Sequence, residues 1–152
     1  MKKSERIKSL FAPSGETQGV TNDPRYLGFF ECFNAQRYYE AHDVLEHLWL
    51  RTHDANRDFF KGLIQIAGAF VHLQKQFLRP HHAKDGRRLN PATRLFRIGS
   101  ANLARYGPHH LRLDVEAVCR LCERLASKIV RSDFSVNPWQ PDDAPKIFLA
   151  GA

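Results

Sequence analysis

Residues 57–77 carry the longest uninterrupted pattern in this chain. The stretch FFKGLIQIAGAFVHLQKQF contains no proline. At about 100° per residue, its apolar side chains cover an arc of roughly 200°, which is typical of a long helix with one wide buried face. No stretch of the chain alternates between apolar and polar residues for long in the manner of a β-strand. We therefore expect an all-α protein.

Capping signals mark where further helices begin. Asp23-Pro24 places an acid at an N-cap and proline at the first helical position. Asn34 and Asn90 are predicted to cap two helices in the middle of the chain, and Asp114 is predicted to cap the last one. These signals divide the chain into helices joined by short connections.

The predicted fold is all-α: a compact bundle of about four main helices plus a short N-terminal helix at residues 4–11, with an extended proline-rich C-terminal tail. Residues 1–23 are expected to be a flexible leader and residues 24–131 the helical bundle domain. Residues 132–152 are expected to be an extended tail packed on the domain, because three prolines rule out a helix there.

Charge and cysteine content restrict the partners and the compartment. The formal net charge of +7 favours nucleic acid or an acidic protein as a partner. No apolar run reaches the roughly 18 to 20 residues of a membrane span, and the basic N-terminus lacks the apolar core of a signal peptide. Cys119 and Cys122 form C-x-x-C within a helical pattern, which favours two small helix residues over a metal or redox pair. We expect a reduced, cytoplasmic protein with no membrane partner.

The hexapeptide HDVLEH, residues 42–47, has the composition of a zinc-protease motif but not its spacing, since the second histidine comes one residue too late. On the predicted helix, Asp43 and His47 fall on the solvent side. His42 and Glu46 are four residues apart and border the core. A buried carboxylate needs hydrogen-bond donors, a proton or a cation. His42 and Glu46 are therefore either a structural hydrogen bond or a functional pair.

The 57–77 helix carries an unusual polar strip. Gln65 and His72 are separated there by small residues without charge, and small residues allow close approach of a backbone or a ligand. A short turn joins this helix to the preceding one, which predicts that the two are antiparallel neighbours. We expect a small polar pocket between them, with the candidates His42, Glu46, Gln65, His72, Tyr39 and Trp49.

The stretches FNAQRYYEAHDVLEHLW and FFKGLIQIAGAFVHL together resemble the domain of unknown function 309 family of small helical bacterial and archaeal proteins. The shared pattern is F-N-x-x-x-[YF]-[YF]-E-A-H-[ED]-x-x-E-x-x-W, followed by G-L-I-Q-x-A-x-A-x-x-H. The resemblance covers roughly residues 24–130 and implies an all-α bundle without an established activity. It includes His42, Glu46, Gln65 and His72. The basic insertion PHHAKDGRR, the N-terminal leader and the tail depart from the pattern.

Two enzymatic hypotheses use the predicted pocket. His42, Glu46 and His72 are two histidines and a carboxylate, a ligand set used for zinc or iron, which would make the chain a metal-dependent, hydrolase-like enzyme. Without a metal, Glu46 or His42 would act as a general base. The sequence names no substrate for either reaction.

A binding or interaction module is the function that the sequence favours. The pocket is then a structural polar network, and the partner docks on the surface. The exposed Glu40, Asp43 and His47 could contact a second subunit in a homo-oligomer. Nucleic acid or an acidic protein would dock on a basic face. This face comprises Arg79, Lys84, Arg87, Arg88, Arg94 and Arg97, with Arg105, His81 and His82 beside them.

Overall fold

The computed structural model of the chain describes residues 16–151, most of which are helical. The helices are α1 (Glu16–Thr21), α2 (Pro24–Asn34), α3 (Tyr38–Leu50), α4 (Arg57–Leu78), α5 (Leu89–Ala104) and α6 (Val115–Arg131). A small antiparallel hairpin, β1 (His109–His110) and β2 (Leu113–Asp114), precedes α6, and a 3-10 turn spans Pro141–Asp143. The predicted helical fold is confirmed. Within residues 16–151, no helix is both long and apolar enough to cross a membrane.

The central helix is α4. It packs along α5 on one side and α3 on the other, while α2 packs on α3 and α6 packs on α5. Phe70 of α4 is fully buried, and the centroid of its ring lies 4.9 Å from that of Phe33, 5.2 Å from Tyr38 and 5.3 Å from Phe96. The wide apolar arc predicted for this helix thus meets neighbours from three other helices.

Two of the predicted helix caps are confirmed. The Asp23 carboxylate accepts a hydrogen bond from the backbone N–H of Arg25, and the Asp114 carboxylate accepts one from the N–H of Ala117, at 2.8 Å and 3.0 Å. Each bond satisfies an N–H group that the first turn of a helix leaves without a partner. The chain therefore enters α2 and α6 where the sequence predicted.

The caps predicted at Asn34 and Asn90 are wrong. Asn34 is the last residue of α2, and α3 begins only at Tyr38, after Gln36 has reversed the chain with a positive φ of 61°. Asn90 lies inside α5, which begins at Leu89. Asn34 resembles a cap because its short amide bonds readily to backbone groups, but its backbone partner lies far away in the chain.

The segment expected to be a flexible leader is helical in the part that the structure describes. Glu16–Thr21 forms α1, and Val20 within it is 6% exposed and packs on the core. The predicted helix at residues 4–11 lies outside the described residues.

Residues 137–150, called the C-terminal strap below, cross the surface of the bundle. Trp139 and Ile147 of the strap are buried in the core. Near the end of the strap, the N–H of Ala150 donates to the carbonyl of Arg112, in the hairpin turn, at 2.8 Å. The strap is thus attached to the bundle both in its middle and close to its end.

Candidate functional site

His42 and Glu46 lie at the edge of the bundle and not in its core. His42 Nδ1 is 3.8 Å from Glu46 Oε2, and the side chains are 34% and 43% exposed. The ring of Tyr39, itself an exposed residue, stacks near His42 with centroids 6.4 Å apart. Water therefore solvates the Glu46 carboxylate, and the requirement for a buried partner does not arise. Asp43 and His47 are exposed, as predicted.

Gln65 and His72 face α5 and the loop before it. Gln65 Oε1 accepts a hydrogen bond from Asn102 Nδ2 at 2.7 Å, and His72 Nδ1 lies 3.0 Å from Arg88 Nη1. A guanidinium can only donate, so His72 Nδ1 accepts, and the neutral ring carries its proton on Nε2. Burial, followed by the nearby Arg88, lowers the pKa of His72. These two motif residues hold α5 against α4.

The pair His42 and Glu46 and the pair Gln65 and His72 have separate partners. Phe70, which stacks on Tyr38 of α3, lies about 160° around α4 from His72 at 3.6 residues per turn, so His72 points away from α3. Within residues 16–151, no three His, Cys, Asp or Glu side chains are grouped so that they could hold a metal ion. The predicted metal ligands His42, Glu46 and His72 are therefore not brought together, because His42 and Glu46 lie on α3 and His72 points away from α3.

Trp49 of the motif closes the turn between α3 and α4. The Arg57 guanidinium lies 4.3 Å from the centre of the Trp49 ring and donates to the backbone carbonyls of Trp49 and Thr52 at 3.2 Å and 2.9 Å. A cation over an indole ring is attracted to its π face, and the two hydrogen bonds fix its position. Trp49 Nε1 is buried and has no hydrogen-bond partner in the described part of the chain. Trp49 therefore has a structural role in the turn between α3 and α4.

The predicted basic face is partly neutralised. The Asp85 carboxylate accepts hydrogen bonds from Arg88 Nε at 3.0 Å and from Arg79 Nη1 at 2.9 Å, and the Arg88 side chain is only 12% exposed. Hydrogen bonding from Arg88 lowers the pKa of Asp85. Arg105 pairs with Asp58. Exposed cations that form no ion pair among the described residues remain at Lys84, Arg87, Arg94 and Arg97.

The C-x-x-C pair consists of two small helix residues. Cys119 Sγ donates to the carbonyl of Ser100 at 3.6 Å, and Cys122 is buried beneath it in α6. Both are free thiols, and burial raises the pKa of the Cys122 thiol. A protonated, buried thiol is a poor nucleophile and a poor metal ligand.

A groove of about 600 Å³ lies between α6 and the C-terminal strap, at a place that no sequence pattern indicated. Phe148, which is 73% exposed, stands at its rim. Strap residues 145–148 form one wall, and α6 forms the other. The buried apolar side chains along the groove are Leu113, Val118, Leu121 and Ile147.

Cations dominate the charged lining of this groove. Arg124 and Lys146 form no ion pair with any residue that the structure describes. Arg120 lies 3.8 Å from Glu116, but both side chains are more than 60% exposed, so this pair is weak. Asp114, the one acid of the lining, is already engaged as the cap of α6. The groove is therefore apolar and positively charged.

Motif residues hold the strap wall of the groove. Asn34 Nδ2 donates to the carbonyl of Ile147 at 2.9 Å, and the N–H of Ile147 donates back to Asn34 Oδ1 at 2.8 Å. Trp139 Nε1 donates to the hydroxyl of Tyr38 at 2.9 Å. The four-residue spacing of Arg120, Arg124 and Lys128 is visible in the sequence, but the strap's path depends on these long-range contacts.

Comparison with known proteins gives one family match, to residues 26–83. Residues 26–83 match the family model described as Domain of unknown function (DUF309), which confirms the resemblance. The matched segment runs from α2 through the loop after α4 and contains His42, Glu46, Gln65 and His72. No curated protein and no solved structure shows significant similarity to the chain.

Proposed function

We propose that this chain, whose residues 26–83 match the DUF309 family model, is an interaction module that binds an acidic segment of a partner protein in the groove between α6 and the C-terminal strap. One observation carries the proposal: an apolar floor lies beside Arg124 and Lys146, which have no ion-pair partner among the described residues. A ligand that satisfies both features presents an anionic group next to an apolar one. A peptide containing Glu or Asp beside Leu or Phe has this chemistry.

The exposure of the rim favours a protein segment over a small molecule. Small-molecule sites bury roughly 70–90% of their ligand. Here Phe148 is 73% exposed and the Arg120 side chain is 67% exposed, so contacts would continue over the surface. A segment of a larger partner would cover Phe148 as well as fill the groove.

The charge pattern of α6 extends beyond the groove. Lys128 and Arg131 follow Arg124 at spacings of four and three residues, and both are exposed. At 3.6 residues per turn, they lie on the same side of the helix as Arg120 and Arg124. Such a row attracts an acidic partner and accelerates its association, an effect that salt weakens.

Nucleic acid is the less favoured polyanion. Arg79 and Arg88 of the predicted basic face share the Asp85 carboxylate, which cancels one of their two charges. Binding of single strands also relies on aromatic platforms for successive bases, and Phe148 is the only aromatic residue that lines the groove. Carboxylates with an apolar anchor fit this lining better than a run of stacked bases.

The test uses a short fluorescent peptide rich in Glu with a central Phe, whose binding is followed by anisotropy. Arg124→Glu and Lys146→Glu are each expected to weaken binding about 3- to 10-fold, because an exposed ion pair contributes about 0.2–1 kcal/mol and charge reversal adds repulsion. Lys128→Glu, the same change on α6 outside the groove lining, is the matched control and should have a smaller effect.

Two results would reject the proposal. Equal losses in all three variants would mean that the peptide responds to net charge and not to the groove. Displacement of the peptide by a single-stranded oligonucleotide that binds more tightly, with the same dependence on Arg124 and Lys146, would reassign the groove to nucleic acid.

A further inference from the structure

Exposed apolar side chains surround the C-terminal end of α4. Four residues form what we call the bundle-end patch: Phe77, Leu78, Phe134 and Val136, which are 42%, 68%, 41% and 55% exposed. They are four of the nine exposed large hydrophobic residues in the described part of the chain. A single exposed hydrophobic residue is ordinary, but such a cluster is typical of an interaction surface.

Contacts along the end of α4 hold the segment that carries Phe134 and Val136 against this helix. Phe134 lines a small cavity together with Gln76 of α4. Asn137 Nδ2 donates to the carbonyl of Leu73 at 2.9 Å, and the rings of Phe77 and Trp139 pack edge to face with centroids 5.5 Å apart. The segment from residue 134 to residue 139 therefore lies against the last two turns of α4, next to Phe77.

The backbone at the patch is strained. Asp133 and Phe134 have φ values of 54° and 59°, a left-handed conformation that favours glycine. The turn is held by hydrogen bonds from the N–H of Phe134 to the Ile129 carbonyl and from the N–H of Asp133 to the Val130 carbonyl, both 2.9 Å. Glycine would form the same helix end without strain. Phe134 keeps 41% of its surface exposed although its backbone is strained, a combination associated with function.

Two cations lie near Phe134 of the patch. Arg87 lines the same cavity as Phe134, and Arg131 precedes Phe134 by three residues; neither has an ion-pair partner in the part of the chain that the structure describes. Asp133 is the nearby exposed acid, while the Asp85 carboxylate is occupied by Arg79 and Arg88. Pairing the patch with a second copy of itself would bring these cations close together, which opposes self-association.

We propose that the bundle-end patch docks on an anionic lipid surface, with its apolar side chains at the headgroup boundary and its cations near the lipid phosphates. The cavity beside Phe134 is about 210 Å³, below the roughly 300 Å³ of the smallest ordinary ligand pockets. The patch thus offers protruding side chains instead of a groove. It does not involve the α6–strap groove, and either proposal can hold without the other.

The experiment measures co-sedimentation of the full chain with vesicles of phosphatidylglycerol and phosphatidylcholine, and with vesicles of phosphatidylcholine alone. Binding to the anionic vesicles that weakens with salt is expected, with much weaker binding to the neutral ones. Phe134→Gly should reduce binding on the order of 5- to 10-fold by removing an apolar anchor.

Two matched variants separate anchoring from folding. Asp133→Gly relieves strain in the same turn but keeps the Phe134 ring, so it should raise the melting temperature and keep or strengthen binding. Leu50→Ser removes an exposed leucine at the end of α3, outside the patch, and should leave binding unchanged.

Several outcomes would overturn the proposal. One is equal binding to the neutral and anionic vesicles, or no binding to either. A second is an equal loss of binding in Phe134→Gly and Asp133→Gly. A third is a dimer in sedimentation equilibrium that Phe134→Gly dissociates, which would assign the patch to a second copy of the chain.

Discussion

Asn34 and Ile147, 113 residues apart, exchange two hydrogen bonds through the Asn34 amide and the Ile147 backbone. The amide pairs with the strap as a neighbouring strand would, using one donor and one acceptor. Because Lys146 and Phe148 flank Ile147, this pair also sets the position of the groove wall. A residue of the family motif thereby supports a feature outside the matched segment.

Asn34→Ala should loosen the strap and weaken peptide binding in the groove. It leaves the N–H and carbonyl of Ile147 without partners in a partly buried site, which costs about 1–3 kcal/mol. Urea denaturation measures this loss, and peptide anisotropy should show weaker binding by the same variant. Gln36→Ala, which removes one exposed hydrogen bond to the Pro141 carbonyl, is the control and should cost less. Unchanged peptide affinity in a destabilised Asn34→Ala protein would contradict the role of the strap in the groove.

Tyr38 and Trp139 should prove energetically coupled. Burial raises the pKa of Tyr38 to about 12, and its hydroxyl accepts the indole N–H of Trp139. Tyr38→Phe leaves that N–H buried without an acceptor and should cost about 1–3 kcal/mol. In a double-mutant cycle with Trp139→Phe, the combined loss should fall short of the sum by about 0.5–3 kcal/mol. Additive losses would show that the hydrogen bond contributes little.

Three glycine-to-alanine changes should differ in sign. A Cβ on Gly62 would lie 2.9 Å from the Gly99 carbonyl oxygen, and one on Gly99 would lie 2.8 Å from the Gly62 carbonyl oxygen. Each alanine there forces α4 and α5 apart and should cost about 1–3 kcal/mol. A Cβ on Gly28 would have its nearest neighbour, a methyl carbon of Val44, at 3.9 Å, which is ordinary contact. Alanine there should therefore stabilise α2 by about 0.5–1 kcal/mol. Thermal unfolding of the three variants tests this, and a destabilised Gly28→Ala would contradict the packing described.

Acid should destabilise the α4–α5 contact through His72. Burial and the nearby Arg88 hold the pKa of His72 below its usual value of 6.5, so the folded protein favours the neutral ring. As the pH falls, the unfolded state takes up the proton first. The contribution of neutral His72 to the free energy of unfolding is therefore fully present above about pH 6.5 and is lost as the pH falls to the lowered pKa. His72→Asn keeps an acceptor for Arg88 but does not titrate. This variant should therefore lose less stability in acid than the unaltered protein. The loss that remains is expected from His110, whose pKa is also lowered by burial. A decline of equal slope in both proteins would contradict the assignment.

Local patterns in the sequence predicted the helices well. The apolar arc of residues 57–77 closely matches α4, Arg57–Leu78, because 3.6-residue periodicity directly records one buried face. Asp23 and Asp114 were recognisable because an N-cap bonds to a backbone N–H two or three residues away. Asn34 has the same chemistry, but its partner is Ile147, and no local pattern distinguishes the two uses.

The site was harder to predict, because it depends on which side of each helix a neighbour covers. His42 and Glu46 lie at the border of the core, where the sequence placed them, and solvent reaches both side chains. His72 was assigned to the same pocket, but it lies on the opposite side of α4 and bonds to Arg88. Arg88 itself appeared to be a surface cation, because the sequence does not show that the loop folds around Asp85. The errors at His72 and Arg88 both concern a partner that only the folded chain brings into contact.

A titration of the isotopically labelled chain with the Glu-rich peptide, followed by amide chemical shifts, tests the central claim most directly. The account predicts that shifts concentrate on residues 113–124 of α6 and its preceding strand and on strap residues 145–148, and that Arg124→Glu diminishes them. Shifts concentrated around the exposed cations Arg94 and Arg97 of α5, with the groove unchanged, would contradict it.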